Sequence, residues 1–165
     1  MPERISREAA VAGIELPPGK CLACELMRGE GAPVILCEEE DFVCLLPKLG
    51  VAFGQVLIVP RRHVVRFVEL PSDTWLRMSS LAQRIACAVE RCLEPARCYV
   101  ASLGTPRDDV PMSCPHLHIH VIPVMDPDAR PAQVLTWSNG VIRAEEAELI
   151  RLRDRLRGRL EAPGR

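Results

Sequence analysis

Cys114-Pro115-His116-Leu117-His118-Ile119-His120-Val121-Ile122-Pro123 decides how the rest of this chain is read. It holds three of the four histidines in 165 residues. Side chains alternate faces along a β-strand, so a strand here puts His116, His118 and His120 on one face and Leu117, Ile119 and Val121 on the other. The second set predicts a core-facing side, the first a solvated, chemically active one. An ordinary polar strand face is filled with Thr, Lys or Glu. Three imidazoles spaced two apart point instead to metal, proton or nucleophile work near neutral pH.

Upstream of this stretch the sequence predicts four more strands. Val34 to Glu38 and Phe42 to Leu46 are β-rich runs joined by Glu39-Glu40-Asp41, which reads as a hairpin. Pro47 to Phe53 reads as a loop, Gly54 to Pro60 as a central apolar strand, and Arg97 to Leu103 as the strand before the histidines. Between them, Leu70-Pro71-Ser72-Asp73 signals a helix start, and Trp75, Met78, Leu81, Ile85, Val89 and Cys92 fall on one helical face that Pro95 ends. Downstream, Asp- and Pro-rich residues to Pro131 predict a loop, and Asn139-Gly140 within Leu135 to Ile142 predicts a hairpin turn. A last helix over about Ala144 to Leu160 docks by Ala147 or Leu149 together with Leu152, Leu156 and Leu160. Residues 1–18, with a short helix around Ile5 to Ile14, are expected as an N-terminal appendage, 19–142 as the domain and 143–165 as a C-terminal helix and tail. Order and lengths predict an α+β fold: an antiparallel sheet of about five strands, one long helix and the C-terminal helix.

The chain is 48% apolar and 26% charged with a net charge of −1, so it lacks the basic excess of a nucleic-acid binder. No apolar run approaches the ~20 residues that span a bilayer, and Met1-Pro2-Glu3-Arg4 does not open a signal peptide. A cytoplasmic protein with no membrane or nucleic-acid partner is expected, its eight cysteines reduced thiols.

Only Cys21 and Cys24 form a cysteine motif. Two thiolates in Cys-x-x-Cys suit Zn²⁺. A redox motif should adjoin a βαβ pattern, and the Gly-rich flanks here carry none. The chain offers His63 and the triad as further ligands, and Cys21, Cys24, His63 with one triad histidine would close a tetrahedral Cys₂His₂ site of structural type. A zinc held by all three triad histidines is geometrically poor, because the outer two lie about 13 Å apart along a strand.

His116-Leu117-His118-Ile119-His120-Val121-Ile122 resembles the hallmark of the histidine triad (HIT) superfamily, in which histidines alternate with apolar residues. Phe42 to Leu46, Gly54 to Pro60 and Arg61-Arg62-His63 are similar to that family's strand-loop-strand with its basic-basic-His ending. The resemblance implies a HIT-like α+β fold, usually a homodimer, that hydrolyses or transfers nucleotides through a covalent intermediate on the middle histidine. It implies His118 as nucleophile and His120 as a phosphate contact. Ser113 matches a catalytic and substrate-binding serine that touches phosphate and leaving group. In zinc-containing members the matching ligands are Cys21, Cys24, His63 and His116.

The departures matter as much. Pro47 stands where relatives carry an Asp or Asn for the ribose hydroxyls, and proline has no side-chain acceptor. Met112 stands where many carry a phosphate-binding Gln. Ser113-Cys114-Pro115-His116 is similar to the galactose-1-phosphate uridylyltransferase branch. Lys48, Arg61, Arg62 and Arg107 are the candidate replacement cations. The function these residues imply is a hydrolase or nucleotidyltransferase acting on a phosphoanhydride, phosphoester or phosphoramidate of a nucleotide-like small molecule. The alternatives are a zinc-stabilised binding or scaffold module that has lost efficient catalysis and, more weakly, a cysteine redox protein.

Overall fold

The five apolar runs pair into one antiparallel sheet in a computed structural model that describes residues 2–14, 19–30, 33–103 and 114–160. Its strands are β2 (Val34–Glu38), β3 (Phe42–Leu46), β5 (Val56–Pro60), β6 (Arg97–Ala101) and β7 (Ile119–Val124), in the order β2-β3-β5-β7-β6. β2 and β3 form the expected hairpin, with Val34 opposite Leu46 and Glu38 opposite Val43. β5 is central and pairs with β7 through Leu57 to His120 and Ile58 to Ile119.

Two helices cover one face of this sheet. α3 (Ser72–Leu93) buries Met78, Leu81, Ile85 and Val89, the stripe its periodicity predicts. Trp75, at the head of that stripe, stays 37% exposed and stacks edge-on against Phe67 at 5.1 Å. The helix start carries no side-chain cap: Pro71 occupies the cap position, and Asp73 instead pairs with Arg77 at 3.0 Å one turn on. At its other end Glu94 takes a left-handed conformation (φ 48°) ahead of Pro95. α5 (Glu146–Leu160) buries Leu149, Leu152 and Leu156 in the same core as α3, Leu36, Cys44, Ile58, Ile119 and Val121.

Strand alternation sends the neighbouring residues Val43, Leu45, Val59 and His120 to the opposite face. There α2 (Leu22–Met27) packs Ala23 onto Val43, Leu45, Val59 and Cys114.

Three expectations are corrected. The N-terminal stretch is not merely a helical appendage: Glu3–Ile5 forms β1, and its helix α1 is shorter than expected, Arg7–Ala12, capped by the Ser6 hydroxyl at 3.1 Å. β1 belongs to a second, three-stranded sheet with β4 (Leu49–Gly50) and β8 (Val141–Arg143), in the order β1-β8-β4. The Pro47–Phe53 loop therefore contains a short strand. The Asn139-Gly140 hairpin does not form either. Pro131 starts α4 (Pro131–Leu135), and a turn closed by the Gly140 N–H on the Trp137 carbonyl, 2.9 Å, delivers β8 to partners distant in sequence. Glycine is needed at 140 for a tertiary reason: its φ is +78°, and a Cβ would lie 2.5 Å from the Ile5 carbonyl of β1.

Candidate active site and metal centre

Helix geometry brings Cys21 and Cys24 together, because residues three apart share a helix face and Cys21 is the cap of α2. His63 arrives from the loop after β5, and His116 from the approach to β7. Cys21 Sγ and Cys24 Sγ lie 3.4 and 3.5 Å from His116 Nδ1, and Cys24 Sγ lies 3.5 Å from His63 Nδ1. The four ligand atoms all fall within 4.8 Å of one another. A tetrahedron with metal–sulfur bonds near 2.3 Å and metal–nitrogen bonds near 2.05 Å has S···N edges of about 3.6 Å, so these separations fit one such ion. His116 donates its Nε2–H to the Pro60 carbonyl at 2.9 Å, which leaves Nδ1 as the lone pair facing the thiols. Burial, then the neighbouring Cys21 thiol, push the Cys24 thiol up to about 11. A thiolate pair here calls for a cation beside it.

Cys114 is a neighbour that the spacing argument passed over. It is buried, and its Sγ sits 3.8 Å from Cys21 Sγ behind the cluster.

The triad is held differently from the regular strand expected. β7 begins only at Ile119, so His116 and His118 precede it. Pro115 has no N–H to give a ladder, and the Leu117 N–H bonds the Val64 carbonyl at 2.7 Å. The histidine face is also covered rather than solvated: His116 is 1% exposed, His118 and His120 8% each. Burial holds the His116 and His118 imidazoles below the usual histidine range and pushes His120 down to about 3, with the His118 ring adding to the effect on His120. All three are therefore neutral near pH 7.

In neutral imidazoles the hydrogen bonds fix which nitrogen carries the proton. His118 Nδ1 lies 2.6 Å from the His116 carbonyl, which can only accept, so Nδ1 is protonated and the Nε2 lone pair is free. His120 Nδ1 lies 2.8 Å from Gln55 Nε2, and the His118 and His120 rings meet edge-to-face at 4.6 Å.

Both rings open onto a cavity of about 540 Å³, within the range of small-molecule sites. Pro47, Lys48 and Leu49 form one wall, Leu22 and Leu26 of α2 another, and Trp137 lines it as well. Pro47 thus stands in the wall of the same cavity as the triad. Glu145 and Glu146 line it too, and Lys48 pairs with Glu146 at 3.4 Å.

Of the candidate cations, Lys48 alone among the described residues reaches the cavity. Arg61 is engaged by Glu38 and the Glu39 carbonyl, and neither it nor the exposed Arg62 lines it. Ser113, Met112 and Arg107 lie outside the described residues. Gln55 is the site residue that pattern reading missed. Its signal was present: it is the one polar side chain in the run Gln55 to Pro60, and a buried amide must find partners.

The HIT domain model matches residues 28–126. Among curated proteins, the chain is 28% identical over 104 residues to an uncharacterized HIT-like protein of Mycoplasma genitalium, covering 62% of this chain and 72% of that one. It is 25% identical over 130 residues to the adenylylsulfatase HINT3 of Arabidopsis thaliana, covering 78% and 61%. Among solved structures it superposes on a HIT-like protein of Bartonella henselae with a TM-score of 0.68 at 19% identity, covering 88% and 99%. A zinc-bound histidine triad family protein of Mycobacterium smegmatis superposes with a TM-score of 0.63 at 24% identity, covering 86% and 93%. The fold is that of these structures, His118 and His120 line its cavity, and the matched domain spans most of the chain, which belongs to the HIT family.

Proposed function

We propose that this protein is a zinc-containing hydrolase or nucleotidyltransferase that breaks a phosphorus bond of a nucleotide-like substrate through a covalent intermediate on His118. The observation that carries the reading is the 2.6 Å bond from His118 Nδ1–H to the His116 carbonyl, which leaves a buried, neutral nucleophilic nitrogen at the cavity. His118 Nε2 attacks phosphorus as the bond to the leaving group breaks, and the leaving group takes up a proton. Water or an acceptor then displaces the histidine, restoring the neutral ring. His120 Nε2–H offsets charge on the phosphoryl oxygens. Ser113 is assigned to the phosphate and leaving group on the family pattern.

Cys21, Cys24, His63 and His116 are the proposed zinc ligands, supported by the tetrahedral edge lengths and by a zinc-bound relative in fold. Zinc there ties α2 to the loop after β5 and to the triad, a structural role. The homodimer reading is supported by β6, which is the last strand of the sheet among the described residues and exposes Val100 (51%), with Leu103 (39%) just past its end. Val100→Lys on that edge should yield monomers by analytical ultracentrifugation. A cytoplasmic location accords with thiolate ligands kept reduced.

The test is turnover. Adenylyl sulfate, suggested by the adenylylsulfatase relative, nucleoside phosphoramidates and dinucleoside polyphosphates should be assayed together with mass spectrometry for an acid-labile adduct on His118. Pro47 favours one second reading, a zinc-stabilised binding or scaffold module, since this cavity wall offers a sugar no side-chain acceptor at that position. Ligand binding without turnover of any of these substrates would select it.

A further inference from the structure

Gln55 is 3% exposed, and both ends of its amide are engaged. The Val51 backbone N–H, which can only donate, lies 2.8 Å from one terminal atom, so that atom is Oε1. The other is therefore the NH₂ group, and it faces His120 Nδ1 at 2.8 Å. An NH₂ group can only donate, so Nδ1 of His120 must be the bare acceptor, and the ring proton sits on Nε2. A flipped amide would set its NH₂ against the Val51 N–H and lose that bond, so the Val51 N–H fixes the orientation.

We propose that Gln55 is a positioning residue that locks His120 in its Nε2–H tautomer, so that the ring presents a fixed donor toward the phosphoryl group on His118. The inference rests on the proposed phosphoryl chemistry for its purpose, but its geometry stands apart from that chemistry. The lock is tied to the substrate wall. Val51 follows β4 directly, and Pro47, Lys48 and Leu49, one turn of chain away, line the cavity. Gly50 lies under the amide: a Cβ there would come within 3.1 Å of Gln55 Oε1 and 3.3 Å of the Ala52 carbonyl, so an alanine has to push the amide aside. The amide thus reports the position of the β4 loop to His120.

Gln55→Glu tests this directly. A carboxylate accepts at both ends, keeping the Val51 bond while requiring a proton on His120 Nδ1. Proton–nitrogen correlation spectra of the metal-loaded full chain should show His120 as the Nε2–H tautomer in the natural protein. In Gln55→Glu they should show it protonated at Nδ1, with zinc content unchanged. With a substrate found as above, kcat should fall about 10²-fold, as for one lost transition-state donor, with KM little altered. Gly50→Ala perturbs the same amide without adding charge and should broaden or mix the His120 tautomers, which keeps the test open if Gln55→Glu does not fold. Nδ1–H in the natural protein, or an unchanged Nε2–H signature in both variants, would overturn the assignment. Tautomer shifts without turnover of any phosphate substrate would leave Gln55 as the lock and overturn the catalytic reading instead. Turnover with an unmoved tautomer would do the reverse.

Discussion

His116 and His120 stand two residues either side of His118, share its chemistry, and are held in opposite senses. At the metal end His116 gives its Nε2–H to the Pro60 carbonyl and turns the Nδ1 lone pair to two thiols. At the cavity end His120 receives a bond at Nδ1 from Gln55 and keeps an N–H to offer. Between them His118 gives its Nδ1–H to the His116 carbonyl and keeps a lone pair. One donor or acceptor per ring leaves three identical side chains presenting a lone pair to the thiols, a lone pair to the cavity and an N–H donor. What each ring presents follows from what holds its other nitrogen rather than from its place in the strand.

The largest break separates the middle ring from both ends. His118→Ala should reduce turnover to background while zinc content and thermal midpoint stay near those of the unaltered protein, checked by metal analysis, calorimetry and substrate assays. At the metal end the expected signature inverts. Cys21→Ser, His63→Ala or His116→Ala should lose zinc. Structural zinc contributes on the order of 10 kcal/mol of apparent binding energy in small domains, so the thermal midpoint should fall by about 10 °C or more. An adduct mapped to His116, or full activity in His118→Ala, would show that the rings have been assigned wrongly.

The cavity end should give graded effects. His120→Ala should slow turnover about 10²-fold, by loss of one phosphate donor, with zinc retained. Pro47→Asp should tighten nucleotide binding about 10-fold, the scale of one charge-assisted hydrogen bond to a sugar hydroxyl. Calorimetry with AMP and its deoxy form measures it, and tight ribose-selective binding by the unaltered protein would show that another group already holds the hydroxyls.

These differences were legible in the sequence to unequal depth. Alternation and helical spacing located five strands and α3, because Val34–Leu46 and Met78–Val89 bury what their patterns predict. Cys-x-x-Cys with His63 pointed to a four-ligand cluster whose members do converge. The three-residue β1 carries too little pattern to be seen, since Glu3, Arg4 and Ile5 become a strand only by pairing with Val141–Arg143 across the whole chain. Asn139-Gly140 carried a real turn signal but not its partner, which tertiary contact with Ile5 decides. Gln55 was hidden for the same reason: its meaning lies in Val51 and His120, one near in sequence and one 65 residues away.

The smallest expected effect isolates the cavity-end ring through pH. Burial pushes His120 down to about 3, from 6.5 for an exposed histidine. The unfolded chain therefore takes up a proton at this side chain as pH falls through 6.5, while the folded chain does not until near pH 3. Stability drops wherever the unfolded state binds more protons, so the contribution of His120 is fully present above about pH 7 and is lost progressively as pH falls toward 3. Between pH 8 and pH 6 the folded ring stays neutral throughout, and the loss depends only on titration of the unfolded side chain. It amounts to about 0.8 kcal/mol, or roughly 2–3 °C in thermal midpoint. His120→Asn keeps an acceptor for the Gln55 amide but cannot titrate. Its stability should therefore decline less between pH 8 and pH 6 than that of the unaltered protein, by that amount, with both proteins metal-saturated so that losses at the thiolate cluster cancel. Equal slopes in the two proteins would mean that His120 takes up its proton in the folded state. That would place an imidazolium against the Gln55 NH₂ group, removing both the neutral ring and the contrast with His116 that depends on it.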